Sequence, residues 1–438
     1  MVGHENAASK PGAGDGRRGR RDSDQQKLDL EGDHVTTLSA RRLALLVAAN
    51  TALAPLAIDA YLPAMPALAT SIGASVHHTE LSLSVFLLGF ALGQLVCGPL
   101  SDRFGRKPVL MIGLGVFLVA SLALTQVGSL ATLWGWRFVQ ALGGGACVVN
   151  SAAIVRDRFS GREAAKVMST MVMILMMAPL VAPAIGSALL HLADWWLIFL
   201  FLAVYAAFVL WLLGRYLPET HGRDPRAPSA RQILGNYVSV LRHREAMGYI
   251  GAVSMSFAGM FAFITGSPYL YMEHYGLSTT LYPFVFGANI LIMASSSRLN
   301  IRLLKTRTPQ QNLLLGLGIQ LTAGVLLVVM VATGLDSIFT IAPLMVIFVG
   351  MQGLISPNAM SSMLDHFPRM SATATALQGC LQFTCGAVAG ALVGAFELAS
   401  AWPTVLTMLG ATLLGNVAVR ALAGRALKHR AASEESAS

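Results

Sequence analysis

The sequence predicts an all-α integral membrane protein, with twelve transmembrane helices in two six-helix lobes related by pseudo-twofold symmetry. Three observations predict it. Only 12% of the 438 residues are charged and 55% are hydrophobic, against about 25% charged in a soluble domain, so most of the chain is unfit to face water. Apolar stretches of roughly 20 residues, each long enough to cross a bilayer core, recur along almost the whole length. Apart from Arg137, lysine and arginine fall in the tails and in every second connection between these stretches.

The spans are expected at roughly 42–66, 79–100, 109–127, 130–155, 164–190, 195–214, 246–272, 279–298, 311–333, 338–362, 372–396 and 402–423, numbered here 1 to 12. The N-terminal tail with Arg41 and Arg42 holds eight Lys or Arg. The connection after span 2 holds three, that after span 4 four, the central one six, that after span 8 four and that after span 10 one, and four follow from Arg420 onward. The connections on the other side hold none, and one base, Arg137, lies within a span. Positive charge stays cytoplasmic, so both termini are expected in the cytoplasm of a bacterial inner-membrane protein. The net charge of +9 is then a property of loops, and no nucleic-acid partner is implied.

Residues 1–41 are polar and without apolar periodicity, which predicts a disordered cytoplasmic tail; 425–438 form a second tail. The first apolar run starts too late and is too long for a cleaved signal peptide. Residues 215–245 are polar, carry Pro218, Pro225 and Pro228, and separate an N-terminal lobe, 42–214, from a C-terminal lobe, 246–424. Two such blocks joined by a cytoplasmic linker are the layout of a secondary transporter, with its substrate site between the lobes near mid-membrane. Prolines inside spans, among them Pro55, Pro63, Pro179, Pro183, Pro268 and Pro357, mark bends that neighbouring helices tolerate. Cys97, Cys147, Cys380 and Cys385 all fall in apolar stretches without C-x-x-C spacing, so neither a disulfide framework nor a zinc site is indicated. His77 and His78 show no third ligand, and no metal is expected. There is no phosphate loop, H-E-x-x-H or catalytic triad, so the chain reads as a carrier and not an enzyme.

Asp59 is the one acid that the span assignment places well inside the hydrocarbon. An ionised carboxylate there is expensive, so its default reading is functional: it would take up and release a proton as the lobes rock. Asp59 lies about six residues from the outer end of span 1 and Arg137 about seven from that of span 4, which puts both roughly 10 Å below the surface. They are expected to share a depth and to influence each other.

The connection after span 2 reads G-P-L-S-D-R-F-G-R-K-P, from Gly98 to Pro108. It resembles the cytoplasmic signature of the major facilitator superfamily, and its spacing is intact. The resemblance implies a conformational gate formed by Gly98, Asp102, Arg103, Gly105, Arg106 and Lys107. Gly98 would allow close packing and Gly105 a tight turn, while Asp102 would pair with bases and with a helix terminus across the lobe interface. The matching segment of the second half, Ser296 to Arg307, has Asn300 where the acid would be and Ser296 where the glycine would be, so any charge latch should be asymmetric.

Four further segments are similar to the bicyclomycin-resistance and chloramphenicol-efflux subfamily of twelve-helix drug:proton antiporters: I-D-A-Y-L-P-A-M-P (Ile58 to Pro66), F-A-G-M-F-A-F-I-T-G-S-P (Phe257 to Pro268), S-P-N-A-M in span 10, and A-T-A-L-Q-G-C-L-Q-F (Ala374 to Phe383). The resemblance covers about residues 42–424. It implies export of amphipathic drugs in exchange for protons, without a cofactor and by one chain. Asp59 would be the coupling acid, and Arg137 with Gln140 would belong to the antiporter motif of span 4, which has Ala141 where a glycine is usual. Pro179, Ala182, Pro183 and Gly186 resemble the helix-packing motif of span 5, with Ala182 and Ser187 in place of glycines. Asn50, Tyr61, Gln94, Gln140, Asn150, Phe261, Tyr269, Asn289, Gln378 and Gln382 are candidates for the substrate cavity. A carrier for one specific metabolite remains the alternative, because cavities diverge freely on one fold.

Overall fold

A computed structural model of the chain describes residues 40–159, 161–220, 230–367, 370–396 and 400–424; the two expected tails lie outside the described residues. The first half comprises α1 (Ala40–Asp59), a 3-10 turn (Leu62–Ala64), α2 (Met65–Ser71), α3 (Val76–Phe104), α4 (Arg106–Leu124), α5 (Leu130–Arg158), α6 (Gly161–Leu192) and α7 (Trp196–Tyr216). After α8 (Ala230–Arg242) come α9 (Arg244–Pro268), a π turn (Tyr269–His274), α10 (Tyr282–Leu303) and α11 (Pro309–Ala332). The chain ends with α12 (Ile338–Gly350), α13 (Gln352–Leu364), α14 (Ser371–Ala395) and α15 (Trp402–Leu422). Among the described residues, eleven helical segments are long and apolar enough to span a membrane, and α6 adds the apolar run Met177–Leu192.

Span 1 is broken where the sequence analysis made it continuous. Pro63 has no N–H to give the carbonyl of Asp59, four residues earlier, and its ring crowds that carbonyl. The helix therefore ends at Asp59, and a 3-10 turn carries the chain into α2. Span 10 is likewise two helices, α12 and α13, on either side of Met351. The polar linker also hides a helix. Its three prolines all precede Ala230, and from there Ile233, Tyr237 and Val240 repeat at helical spacing, with Val240 fully buried.

The packing repeats when span numbers are shifted by six. In the first half α1 lies on α6, α3 on α5 and α4 on α7; in the second, α9 lies on α14, α10 on α12 and α13, and α11 on α15. The seam between the halves is made by α3 against α14 and by α6 against α10. These pairs are spans 2 with 11 and 5 with 8, which the same shift exchanges. One end of the bundle carries the Lys- and Arg-bearing connections and is called the basic end below; the other is the opposite end.

Candidate functional site

Asp59 stands at the break, as the last residue of α1, and is only 4% exposed. Its carboxylate lies within electrostatic reach of Tyr282 on α10, in the second half. Tyr282 in turn shares a 2.7 Å hydrogen bond with Ser267 at the end of α9.

Arg137 is fully buried two turns into α5, which begins at a capping box made by Ser129 and Thr132. Its Nη1 donates to the carbonyl of Ala57 at 3.0 Å and to Oε1 of Gln140 at 2.8 Å. The guanidinium is held between two rings, 4.8 Å from the centroid of Tyr61 and 4.5 Å from that of Phe86. Gln140 passes the chain on, donating from Nε2 to Ser121 on α4 at 2.8 Å. Asp59 and Arg137 are thus near neighbours through the last turn of α1, but no ion pair joins them. The two are joined through backbone, with Arg137 donating to the carbonyl of Ala57 two residues before Asp59.

The span 5 motif bears on the same break. A Cβ on Gly186 would run into the carbonyl of Ala60 and the ring of Pro63, so only glycine lets α6 lie this close to the residues following Asp59. Gly186→Ala is expected to cost about 1–3 kcal/mol by overpacking. Thermal unfolding in detergent should show the loss, and a variant as stable as the parent would mean that α6 stands off from the break. Ser187, where a glycine was expected, donates to the carbonyl of Thr279 in the second half at 2.9 Å, and His191 meets Thr280 at 3.1 Å. Ala182 is fully buried.

The sequence analysis missed a second carboxylate. Ser75 caps α3 by accepting from the backbone of His78, so the helix starts at Val76 and places Glu80 a turn inside it. Glu80 is completely buried; its Oε1 accepts the backbone N–H of Tyr269 at 3.2 Å, across the seam, and its Oε2 lies 3.6 Å from Nδ1 of His77. Asp59 is therefore not alone inside the bundle. The signal was the i,i+3 spacing of His77 and Glu80, lost because span 2 was started at residue 79.

At the basic end, the loop signature forms a network within the first half. Gly105 has φ of 101°, as its tight turn requires. Arg106 pairs with Asp102, reaches Asp157 of α5 at 3.0 Å and donates to Ser101 at 2.7 Å. Lys107 donates from Nζ to the carbonyl of Gly214 on α7, and Glu219 caps α4 through the backbone N–H groups of Arg106 and Lys107. Arg103 lies over the ring of Phe104. Among the described residues, the ion pair found for Asp102 joins it to Arg106 in its own half. Gly98 is not needed for close packing here, since a Cβ would meet only Val149 at an ordinary 3.6 Å. In the second half Asn300 accepts from Asn312 and Asn358 at 3.0 and 2.7 Å. A neutral asparagine cluster thus stands where the first half has charges.

The remaining candidates divide in two. Gln94, Gln378 and Gln382 gather at the α3–α14 seam, where Gln94 lies against Gly379 and Gln378 is 3.5 Å from Gln382. Phe261 joins them through a chain of rings that crosses the seam: Phe90 to Phe383 at 4.7 Å, Phe383 to Phe257 at 5.2 Å and Phe257 to Phe261 at 4.6 Å. Phe257 and Phe383 sit inside two of the segments that carried the resemblance and were not singled out. The others serve packing in this arrangement. Asn50 donates to Cys147 O and Ser151, Asn150 to its own helix and Asn289 to its own helix. Tyr61 accepts from Ser82 within the first half, Gln140 serves Arg137, and Tyr269 stacks on His77 at the opposite end.

The family model of the Major Facilitator Superfamily matches residues 47–391. A bicyclomycin resistance protein homolog of Haemophilus influenzae is 35% identical over 379 residues, covering 86% of this chain and 95% of that protein. A chloramphenicol resistance protein of Pseudomonas aeruginosa is 30% identical, covering 83% of this chain and 87% of that protein. Among solved structures, a D-xylose–proton symporter superposes with a TM-score of 0.66 at 16% identity, over 85% of this chain and 96% of that one, a likeness of fold alone.

Proposed function

This chain belongs to the Major Facilitator Superfamily, and on that premise we propose that it is a secondary active multidrug exporter, moving amphipathic drugs out of the cell in exchange for protons. The observation that carries the reading is Asp59, a buried carboxylate at the broken end of α1 within electrostatic reach of Tyr282 in the second half. A protonatable group whose surroundings change when the halves part is what exchange requires. The names of the relatives, which concern resistance to bicyclomycin and chloramphenicol, support drugs as the cargo.

Residues 42–214 and 246–424 are the two lobes in this reading, and the basic end faces the cytoplasm with both termini. Drug would enter between the lobes and meet Phe90, Phe257, Phe261 and Phe383, with Gln94, Gln378 and Gln382 beside them. Aromatic faces and a few amides suit apolar, weakly specified ligands. The proton gradient drives the cycle without a cofactor, and one chain supplies both lobes. The loop from Gly98 to Lys107 holds the first lobe's helices in register as it moves.

The test is proton movement in acid-loaded inverted vesicles on addition of chloramphenicol-like and cationic drugs. Drug-triggered alkalinisation of the lumen is expected. No response to any drug from folded protein would move the reading to a carrier for a single metabolite.

A further inference from the structure

The opposite end of the bundle is shut by bonds that cross the seam: Ser187 to Thr279, His191 to Thr280 and Glu80 to the backbone of Tyr269. Gly390 and Gly394 of α14 close it further. A Cβ at Gly394 would fall 3.0 Å from the carbonyl of His77 and 2.9 Å from Leu81. Of these contacts, the one at Glu80 involves an acid, and it is the one with a charge to account for.

We infer that Glu80 and His77 form a second proton-binding site, whose occupation by one proton holds the opposite end of the seam closed. The inference rests on alternating access of the two lobes and not on the nature of the cargo. With no proton, the pair is a single negative charge whose carboxylate is fully buried beside an imidazole 12% exposed, and the Tyr269 N–H donates to that carboxylate. With one proton it is neutral, whether the proton sits on the carboxyl or on the imidazole 3.6 Å away. An isolated buried charge is far less favourable than a neutral pair.

The groups facing Glu80 do not supply the missing positive charge. Glu273 of the π turn is of the same sign and within electrostatic reach, and Tyr61 and Tyr282 are neutral phenols. His274, 6.4 Å from the ring of Tyr269, lies 3.8 Å from the carboxylate of Asp336. Arg137 of α5 is sequestered between Tyr61 and Phe86, and α14 presents glycines here. When the halves part at this end, the Tyr269 N–H and the Tyr269 ring leave together. Glu80 and His77 then meet water, where the unprotonated carboxylate is well solvated. The proton thus belongs to the closed state, and acidity on this side favours closure.

The experiment places spin labels at Gln126→Cys and Thr333→Cys, one on each half at this end, with the four native cysteines replaced. Distances are read in nanodiscs without drug, over about pH 5 to 8, where an imidazole titrates. In the parent, the short distance should gain population as pH falls. Glu80→Gln should hold the short distance across the range. His77→Gln, which leaves the carboxylate to bind the proton alone, should need more acid, with a midpoint lower by about one unit, or tenfold in proton concentration. A parent distance indifferent to pH, or an unchanged pH response in Glu80→Gln, overturns the inference; should Glu80→Gln fail to fold, an unshifted midpoint in His77→Gln does so. A protein that answers pH in this way but moves no protons with any drug would leave the site standing and remove the drug:proton reading instead.

Discussion

Asp59→Asn is expected to reach the membrane at the parental level and to lose drug-dependent alkalinisation of inverted vesicles down to the level of vesicles without the protein. The substitution keeps shape and hydrogen-bonding groups while removing the one property the mechanism uses, a charge that comes and goes. Folding should not suffer, because a neutral amide removes the several kcal/mol that a buried carboxylate costs when ionised. Drug resistance of cells should fall with proton movement, since export against a gradient needs the coupled proton. Downhill drug equilibration should survive, because nothing in the lobes' movement depends on this side chain being charged. Near-parental resistance in Asp59→Asn would remove Asp59 from coupling. Glu80 would then be the remaining fully buried acid among the described residues.

Much of this could be read from sequence, and for a physical reason. In a bilayer the backbone must bond to itself, so apolar length reports helices directly, and the placement of Lys and Arg orders their ends. That left the local backbone illegible in a few places. The break after Asp59 follows from Pro63 acting on a carbonyl four residues back, yet many membrane helices carry proline without ending there. Helix α8 was obscured by three prolines that stop just before it. The site divides along the same line. Asp59, Arg137 and Gly186 were singled out by residue type and context, and the structure places all three around one turn of α1. Which partner each takes is a matter of side-chain direction, and so the bond from Arg137 to Ala57 was invisible. Glu80 was missed because a start three residues too late turned a buried acid into a surface one.

The signature loop shows how resemblance and geometry divide the work. The intact signature at Gly98 to Lys107 was recognised as a unit, but its bonds run to Asp157, Gly214 and Glu219, none of which spacing could supply. The neutral cluster of Asn300, Asn312 and Asn358 in the second half carries no charge to repel or attract. The charges of the signature loop at this end come from the first half, while the second half adds His366 at 3.7 Å from Glu245. At the opposite end, the seam's acid and imidazole also come from the first half. The buried acids Asp59 and Glu80 thus belong to the first half, while the second has partly exposed carboxylate–imidazole pairs of its own, His366 with Glu245 and His274 with Asp336.

Arg137→Lys is expected to lose most export and to lower stability in detergent by about 3 kcal/mol, the scale for breaking a buried charged network. The guanidinium is flat, which lets it lie between Tyr61 and Phe86 while Nη1 bridges Ala57 and Gln140. An ammonium keeps the charge but is compact and strongly hydrated, and presents its donors in the wrong geometry for that slot. It would have to shed water without regaining both bonds. The bond to Ala57 also holds the turn of α1 that ends in Asp59, so its loss frees the carboxylate to move. Arg137→Met separates the two roles. It removes charge and fork together, leaves no ion to desolvate, and should therefore be more stable than the lysine variant yet equally poor in drug-dependent proton movement. Unfolding temperatures and vesicle assays on the three proteins decide it. Parental export by Arg137→Lys would reduce Arg137 to charge balance, and parental export by Arg137→Met would leave it only the task of filling the space between two rings.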